Sequence, residues 1–327
     1  MRYTMLLPWA VVLGCAQAPN WEQTGDGGAL PDAAPPVDAH VGDASAPKPD
    51  AGSNVDDAAT LPPPNGGGFW PSGWLYTQGG SVYVSNGTSG TQWVGRGANV
   101  DDLFFCGYNN SLWMTNAETS LTTLGANLVT GWKATFVRLS LSMNSYSKVG
   151  WTGAYKTSMT NAIKALGANP GVYVLVTLRS DASMTNYGSD DATYFPTSAT
   201  DAVYTALVDT FANDGFVLFG VANEPGGSSL SNATLRSGMD HAVSVIRAEE
   251  DKLGVPHHLV SVQGNNWTSD ISFYAQSPLT EDNVVYEVHG YPPPASSYTY
   301  SNIPVIIGEY GTLSNASSWR RKRVKIT

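Results

Sequence analysis

The chain has 327 residues, 42% hydrophobic and 13% charged, with a formal net charge of -10 and two cysteines. That length leaves room for one large domain with a substantial core. The acidic total argues against a nucleic-acid partner, and two cysteines exclude a disulfide-dense scaffold and a cysteine-rich zinc site.

Residues 1–15, MRYTMLLPWAVVLGC, carry one Arg and then a short apolar run broken by Pro8. The run is about half the roughly 20 residues a spanning helix needs, so it reads as a secretory signal. Gly14 before Cys15 resembles a bacterial lipobox, which implies cleavage there and a lipid on Cys15. Residues 16–68 hold 11 Ala, 9 Pro, 8 Gly and 7 Asp. So little apolar surface cannot offset the entropy of ordering, and the segment is expected to be an extended tether. The expected location is the bacterial cell envelope, lipid-anchored at the outer membrane or cell surface, or the secreted fraction. The expected state is a monomer.

From residue 69 the composition becomes that of a globular domain, expected to run to 319. Apolar runs suited to buried strands recur at 92–100, 136–142, 171–180, 217–225, 258–267, 284–291 and 304–311. Between them, Val203, Leu207 and Phe211 repeat at helical spacing, as do Leu235, Met239, Val243 and Ile246, with Ser231 or Asn232 as N-cap. Such alternation implies an α/β fold with a parallel sheet covered by helices. A (β/α)8 barrel suits it best, with a doubly wound sheet as the competing arrangement. Polar residues gather at the strand ends: Arg138, Asn223-Glu224, Asn265-Asn266, His289 and Glu309. In a barrel those ends open onto the one face where active sites are built.

Glu224 and Glu309 each stand where an apolar strand gives way to a Gly-flanked loop. Paired carboxylates at one mouth are the equipment of a retaining glycosidase, one protonating the leaving oxygen and one attacking the anomeric carbon. His241, His257 and His258 read as structural. No cluster has metal-ligand spacing, so neither a catalytic metal nor a cofactor is expected.

Asn-Glu-Pro at 223–225, His-Gly-Tyr at 289–291 and Gly-Glu-Tyr-Gly at 308–311, in that order on successive strands, resemble glycoside hydrolase family 5, the cellulase family. The resemblance implies a retaining (β/α)8 barrel acting on a β-linked polysaccharide, of β-glucanase or β-mannanase type. It implies Glu224 as acid/base, Glu309 as nucleophile and Asn223 as a contact to the sugar 2-hydroxyl. His289 and Tyr291 would orient the carboxylates, and Arg138 would keep Glu309 ionised. Trp267 reads either as a flat sugar platform or as core, and Tyr291 either as functional or as packing.

Two departures stand out. Where the family has a His at the end of strand three, this chain has Leu178-Arg179-Ser180-Asp181, and Arg179 or Asp181 is expected to take over the contact. After Glu309 too few residues remain for a helix and an eighth strand, and Trp319 comes too soon to stand on one. Residues 320–327 hold five bases in eight positions and read either as an out-of-frame end or as a genuine basic tail. An incomplete barrel is therefore expected. A rival reading is a glycan-binding surface lipoprotein that keeps the cleft without turnover. Cys106 has no role legible in the sequence.

Overall fold

A computed structural model of the chain describes residues 69–100, 122–123, 125–142, 150–180, 196, 198–225, 230–290, 298 and 300–310. The signal and tether, Cys15, Cys106, Asp181, Tyr291, Trp319 and the basic tail lie outside the described residues.

Seven parallel strands follow one another around a single sheet in chain order: β4 Gly97–Val100, β5 Phe136–Ser142, β6 Tyr173–Ser180, β7 Val217–Gly220, β8 Val260–Gln263, β9 Val284–Gly290 and β10 Val305–Tyr310. A doubly wound sheet reverses its strand order part-way, and this one does not. The strands form a nearly closed (β/α)8-type barrel, with no eighth strand among the described residues. Helices α1 Gly153–Gly167, α2 Ser198–Phe211 and α3 Asn232–Leu253 pack on the outer face. Ser231 caps α3, its hydroxyl accepting from the Thr234 N–H, and Gly254 closes the helix at φ 67.

The two-residue period of the strands sorts side chains onto two faces. Val137, Leu139, Val174, Val176, Val260, Val262 and Val288 face the helices. Phe136, Tyr173, Leu175, Leu218, Leu259 and Val285 face inward near the strand starts, where they form an apolar plug. Further along the same inward rows stand Arg138, Ser140, Thr177, Ser261, Gln263, Glu287 and His289, all buried. The interior is thus apolar at one end and charged at the other.

A feature not anticipated from the sequence closes the apolar end. β1 Leu75–Gln78, β2 Ser81–Ser85 and β3 Gly90–Gln92 form an antiparallel meander, and Leu75 and Val82 pack into the plug. Asn283, at φ 50, staples it: its Oδ1 accepts from Thr77 N–H at 3.0 Å, and its Nδ2 donates to the carbonyls of Leu75 and His257. Beside it, Glu250 accepts from both the backbone and Nδ1 of buried His258, and His257 lies between Asp282 and Asp251. His241 is an exposed partner of Asp201.

Three expected strands are shorter than their apolar runs. The run at 92–100 breaks into the end of β3 and the whole of β4. Gly97 approaches its neighbour so closely that a Cβ would lie 1.4 Å from the Phe136 carbonyl oxygen. The run at 217–225 leaves the ladder after Gly220. The run at 258–267 stops at Gln263, because Asn266, Trp267 and Thr268 turn left-handed at φ 52, 52 and 63.

Among the described residues, no strand pairing joins β4 to β10. A cavity of about 380 Å³ lies along this seam, lined in part by Trp93, Gly97, Val305 and Ile307. A side-chain bond crosses it, from Asn99 Nδ2 to the Gly308 carbonyl at 2.7 Å.

The staple can be tested by substitution. Asn283→Ala loses three hydrogen bonds and forces alanine into left-handed backbone, whereas Asn283→Gly loses the bonds alone. Urea unfolding is expected to show a loss of about 2–4 kcal/mol for alanine, roughly 1 kcal/mol more than for glycine.

Candidate active site

The charged end of the barrel is built around Arg138, 1% exposed on β5. Its guanidinium meets a partner on each side, by hydrogen bonds at Nη1 and Nη2 and by an ion-pair contact alone at Nε. Nε pairs with Glu287 Oε1 at 2.7 Å, and Nη1 reaches Glu309 Oε1 at 2.8 Å and Asn99 Oδ1 at 3.0 Å. Nη2 donates to Asn223 Oδ1 at 2.9 Å.

Glu309 reaches this point because of a bulge. Val305 and Ile307 pair with the outward Tyr286 and Val288, and Ile306 with the inward Glu287. Plain alternation would turn Glu309 outward. The register instead slips by one residue at Gly308, so Glu309 pairs with inward His289. Only glycine fits there, since a Cβ on Gly308 would lie 1.9 Å from Glu287 Oε1.

Glu224 lies just beyond β7 at φ 46, a left-handed conformation uncommon outside glycine. Its N–H donates to Gln263 Oε1 at 2.5 Å, and Thr268 Oγ1 donates to the same oxygen at 2.9 Å. The turn that carries Trp267 therefore braces the backbone of Glu224. Trp267 itself is 49% exposed, so the core reading is set aside.

His289 joins the two carboxylates. Its Nδ1 is 2.9 Å from Glu224 Oε1 and 4.0 Å from Glu309 Oε2, and its Nε2 is 2.8 Å from Glu287 Oε1. Burial alone would favour a neutral ring. The Glu309 charge and the bonds to Glu224 and Glu287 outweigh it and push the pKa up to about 9. Glu287 shows the converse. Burial would raise its pKa, but Arg138, His289 and the Ser261 hydroxyl hold it down to about 2. For Arg138, burial opposes the charge while Glu287 and Glu309 more than restore it.

Oxygen and nitrogen atoms of Glu224, His289 and Glu309 lie within 4.8 Å of one another. Both ring nitrogens of His289 face carboxylates, and the ring joins Glu224, Glu287 and Glu309 in one charge network.

Of the residues singled out in the sequence, Arg138, Asn223, Glu224, His289 and Glu309 converge. Trp267 stands on the turn after β8 at the same strand ends, and Tyr291 lies outside the described residues. Arg179 occupies the inward row of β6, close enough for its charge to act on Arg138. Sequence reading missed Glu287, Gln263 and Asn99. The signal for Glu287 was its inward parity with His289.

A family model described as Cellulase (glycosyl hydrolase family 5) matches residues 95–326. Among solved structures, the cellulase Cel5C_n is 22% identical over 77% of this chain and 74% of its own, with a TM-score of 0.54. Thermobifida fusca endoglucanase Cel5A, solved with cellotetraose, is 20% identical over 72% of each chain, at a TM-score of 0.51. The Saccharophagus degradans β-glucanase SdGluc5_26A, also with cellotetraose, is 17% identical over 71% and 66%, at 0.53. At these identities the likeness is one of fold. No match is found among curated proteins.

Two predictions follow from the network. Because the His289 pKa is raised from 6.5 to about 9, its contribution to stability is complete below pH 6.5 and lost as pH climbs through 9. Glu287, lowered from 4.5 to about 2, contributes above pH 4.5 and loses that contribution as pH falls toward 2. The urea midpoint is expected to be highest between those two unfolded values and to fall on either side. Separately, Gly308→Ala must displace the Glu287 carboxylate, and calorimetry should show a loss of about 1–3 kcal/mol.

Proposed function

Since the chain belongs to glycosyl hydrolase family 5, the cellulase family, we propose that it hydrolyses a β-linked polysaccharide, a β-glucan or β-mannan, with retention at the anomeric carbon. One observation carries the stereochemical reading. Glu224 and Glu309 place carboxylate oxygens within 4.8 Å of each other. Retaining pairs stand about 5–5.5 Å apart, and inverting pairs leave about 6.5–9.5 Å for a water molecule.

Contacts divide the roles. Glu309 Oε1 is held by a guanidinium that never loses its proton, so this carboxylate stays ionised and serves as nucleophile. No guanidinium bond to Glu224 is seen among the described residues, and its cationic neighbour is the His289 ring. Glu224 Oε1 faces that ring, which leaves Oε2 to carry the proton. In the first half-reaction Glu309 forms a bond to the anomeric carbon as the glycosidic C–O bond breaks, and the leaving oxygen takes the Glu224 proton. In the second, Glu224 takes a proton from water, and the hydroxyl displaces Glu309. The sugar keeps its β configuration.

Asn223 Oδ1 is already bonded to Arg138, so its amide N–H groups are free to donate to the sugar 2-hydroxyl. Exposed Trp267 offers a flat face to a neighbouring sugar, where stacked rings gain from apolar contact. Arg179 supplies a polar contact from β6, and Tyr291 helps orient the carboxylates. The enzyme is placed at the bacterial cell envelope through a lipid on Cys15, with residues 16–68 as tether. No cofactor enters the reaction.

Glu309→Gln and Glu224→Gln are expected to lower release of reducing ends from β-glucan or β-mannan, by roughly 10²–10⁴-fold for the acid/base and at least as much for the nucleophile. Proton NMR of the first product should show the β anomer. Full activity in both variants, or an α anomer first, overturns the reading.

A further inference from the structure

We propose that Glu287 is a positioning residue: one buried carboxylate that holds Arg138 against Glu309 and His289 against Glu224, and so aligns both halves of the site. The proposal rests on the glycosidase reading and adds to it a residue that touches neither the sugar nor the reacting atoms.

Its contacts are what a positioning role requires. Glu287 is fully buried. Oε1 faces Arg138 Nε at 2.7 Å and His289 Nε2 at 2.8 Å, while Oε2 accepts from Ser261 Oγ at 2.7 Å. The carboxylate rests against the Gly308 backbone, in a slot that a methyl group would fill. The guanidinium is planar, so fixing Nε fixes the direction of Nη1, which meets Glu309. The imidazole is rigid too. An anion at Nε2 holds a proton there and sends the second ring proton, on Nδ1, toward Glu224. Four elements meet at this one side chain: β5 through Arg138, β8 through Ser261, β9 through His289 and β10 through Gly308.

The charged groups facing His289 are Glu224 after β7, Glu287 on its own strand, Glu309 on β10 and Arg138 on β5, with Arg179 of β6 acting on Arg138. Only Glu287 touches both His289 and Arg138 while being closed off from substrate. The raised pKa of His289 agrees with this arrangement.

The test is Glu287→Gln in the full chain, a change that keeps shape and removes charge. NMR of the histidine ring signals, with His289 assigned by its loss in His289→Gln, should show the His289 midpoint falling by 1–3 pH units. On β-glucan, kcat should fall ~10–100-fold with KM little changed, and the pH–rate profile should move. Ser261→Ala removes only one donor to Glu287 and should shift the same midpoint by a smaller amount, which serves if the first variant does not fold. A wild-type His289 midpoint in both variants overturns the proposal, as does a wild-type kcat and pH profile in Glu287→Gln. The ring titration needs no turnover. A wild-type chain inactive on β-glucan and β-mannan would therefore overturn the glycosidase reading, and full activity in Glu224→Gln and Glu309→Gln the roles of those two carboxylates, without touching the ring titration.

Discussion

An ion pair with no access to water, Arg138 to Glu287, sits inside the barrel, and the rest of the structure is arranged so that it can exist. Removing two charges from water costs several kcal/mol per ion, and their attraction recovers this only where every remaining donor and acceptor is used. Here they are used. Arg138 meets Glu287, Glu309, Asn99 and Asn223, and Glu287 meets Arg138, His289 and Ser261. Such a network tolerates no loose walls. The apolar plug below it and the meander beneath the plug keep that end of the barrel dry, which explains why Asn283 accepts left-handed backbone to hold the meander in place. Breaking a pair of this kind leaves a bare buried charge, at a cost of about 3–5 kcal/mol.

The same network spans the seam between the first and last strands. Asn99 uses one end of its amide on Arg138 and the other on the Gly308 carbonyl, so β4 and β10 are joined through the site instead of through a ladder. Unpaired edges invite pairing with other chains. This edge also presents Ile307 at 46% exposure. Catalytic geometry and barrel integrity are thus coupled: a change that swings Arg138 away from Asn99 also loosens the Asn99–Gly308 bond across the seam.

Much of this was legible in the sequence, for physical reasons. β5 and β9 are long and largely apolar, and the runs at 136–142 and 284–291 matched them closely. Glutamates flanked by glycine at strand ends are hard to justify by packing, which singled out Glu224 and Glu309. What stayed hidden depends on counting faces. Glu287 lies within Val-Val-Tyr-Glu-Val-His and looks like one polar residue in an apolar strand, until Val285, Glu287 and His289 are seen as one inward row. The bulge at Gly308 is invisible without the partner register that defines it. Trp267 was ambiguous because nothing in Asn-Asn-Trp-Thr announces three successive left-handed residues. The meander was missed because its aromatics read as general globular composition.

The charges explain why a third carboxylate belongs in a site that needs two. Before reaction in the proposed cycle, Arg138 and His289 carry two positive charges, Glu287 and Glu309 two negative ones, and Glu224 holds its proton. After glycosyl transfer Glu309 is a neutral ester and Glu224 an anion, so the five groups still sum to zero. The anion has moved from the side of Arg138 to the side of His289. Without Glu287, Arg138 would lose its carboxylate partner in the glycosyl-enzyme, and His289 would keep only Glu309, at 4.0 Å, in the resting acid form. With Glu287 touching both, each cation is paired in both halves of the cycle. The buried field need not reorganise as charge shifts across the site, which is the condition for preorganised electrostatic stabilisation.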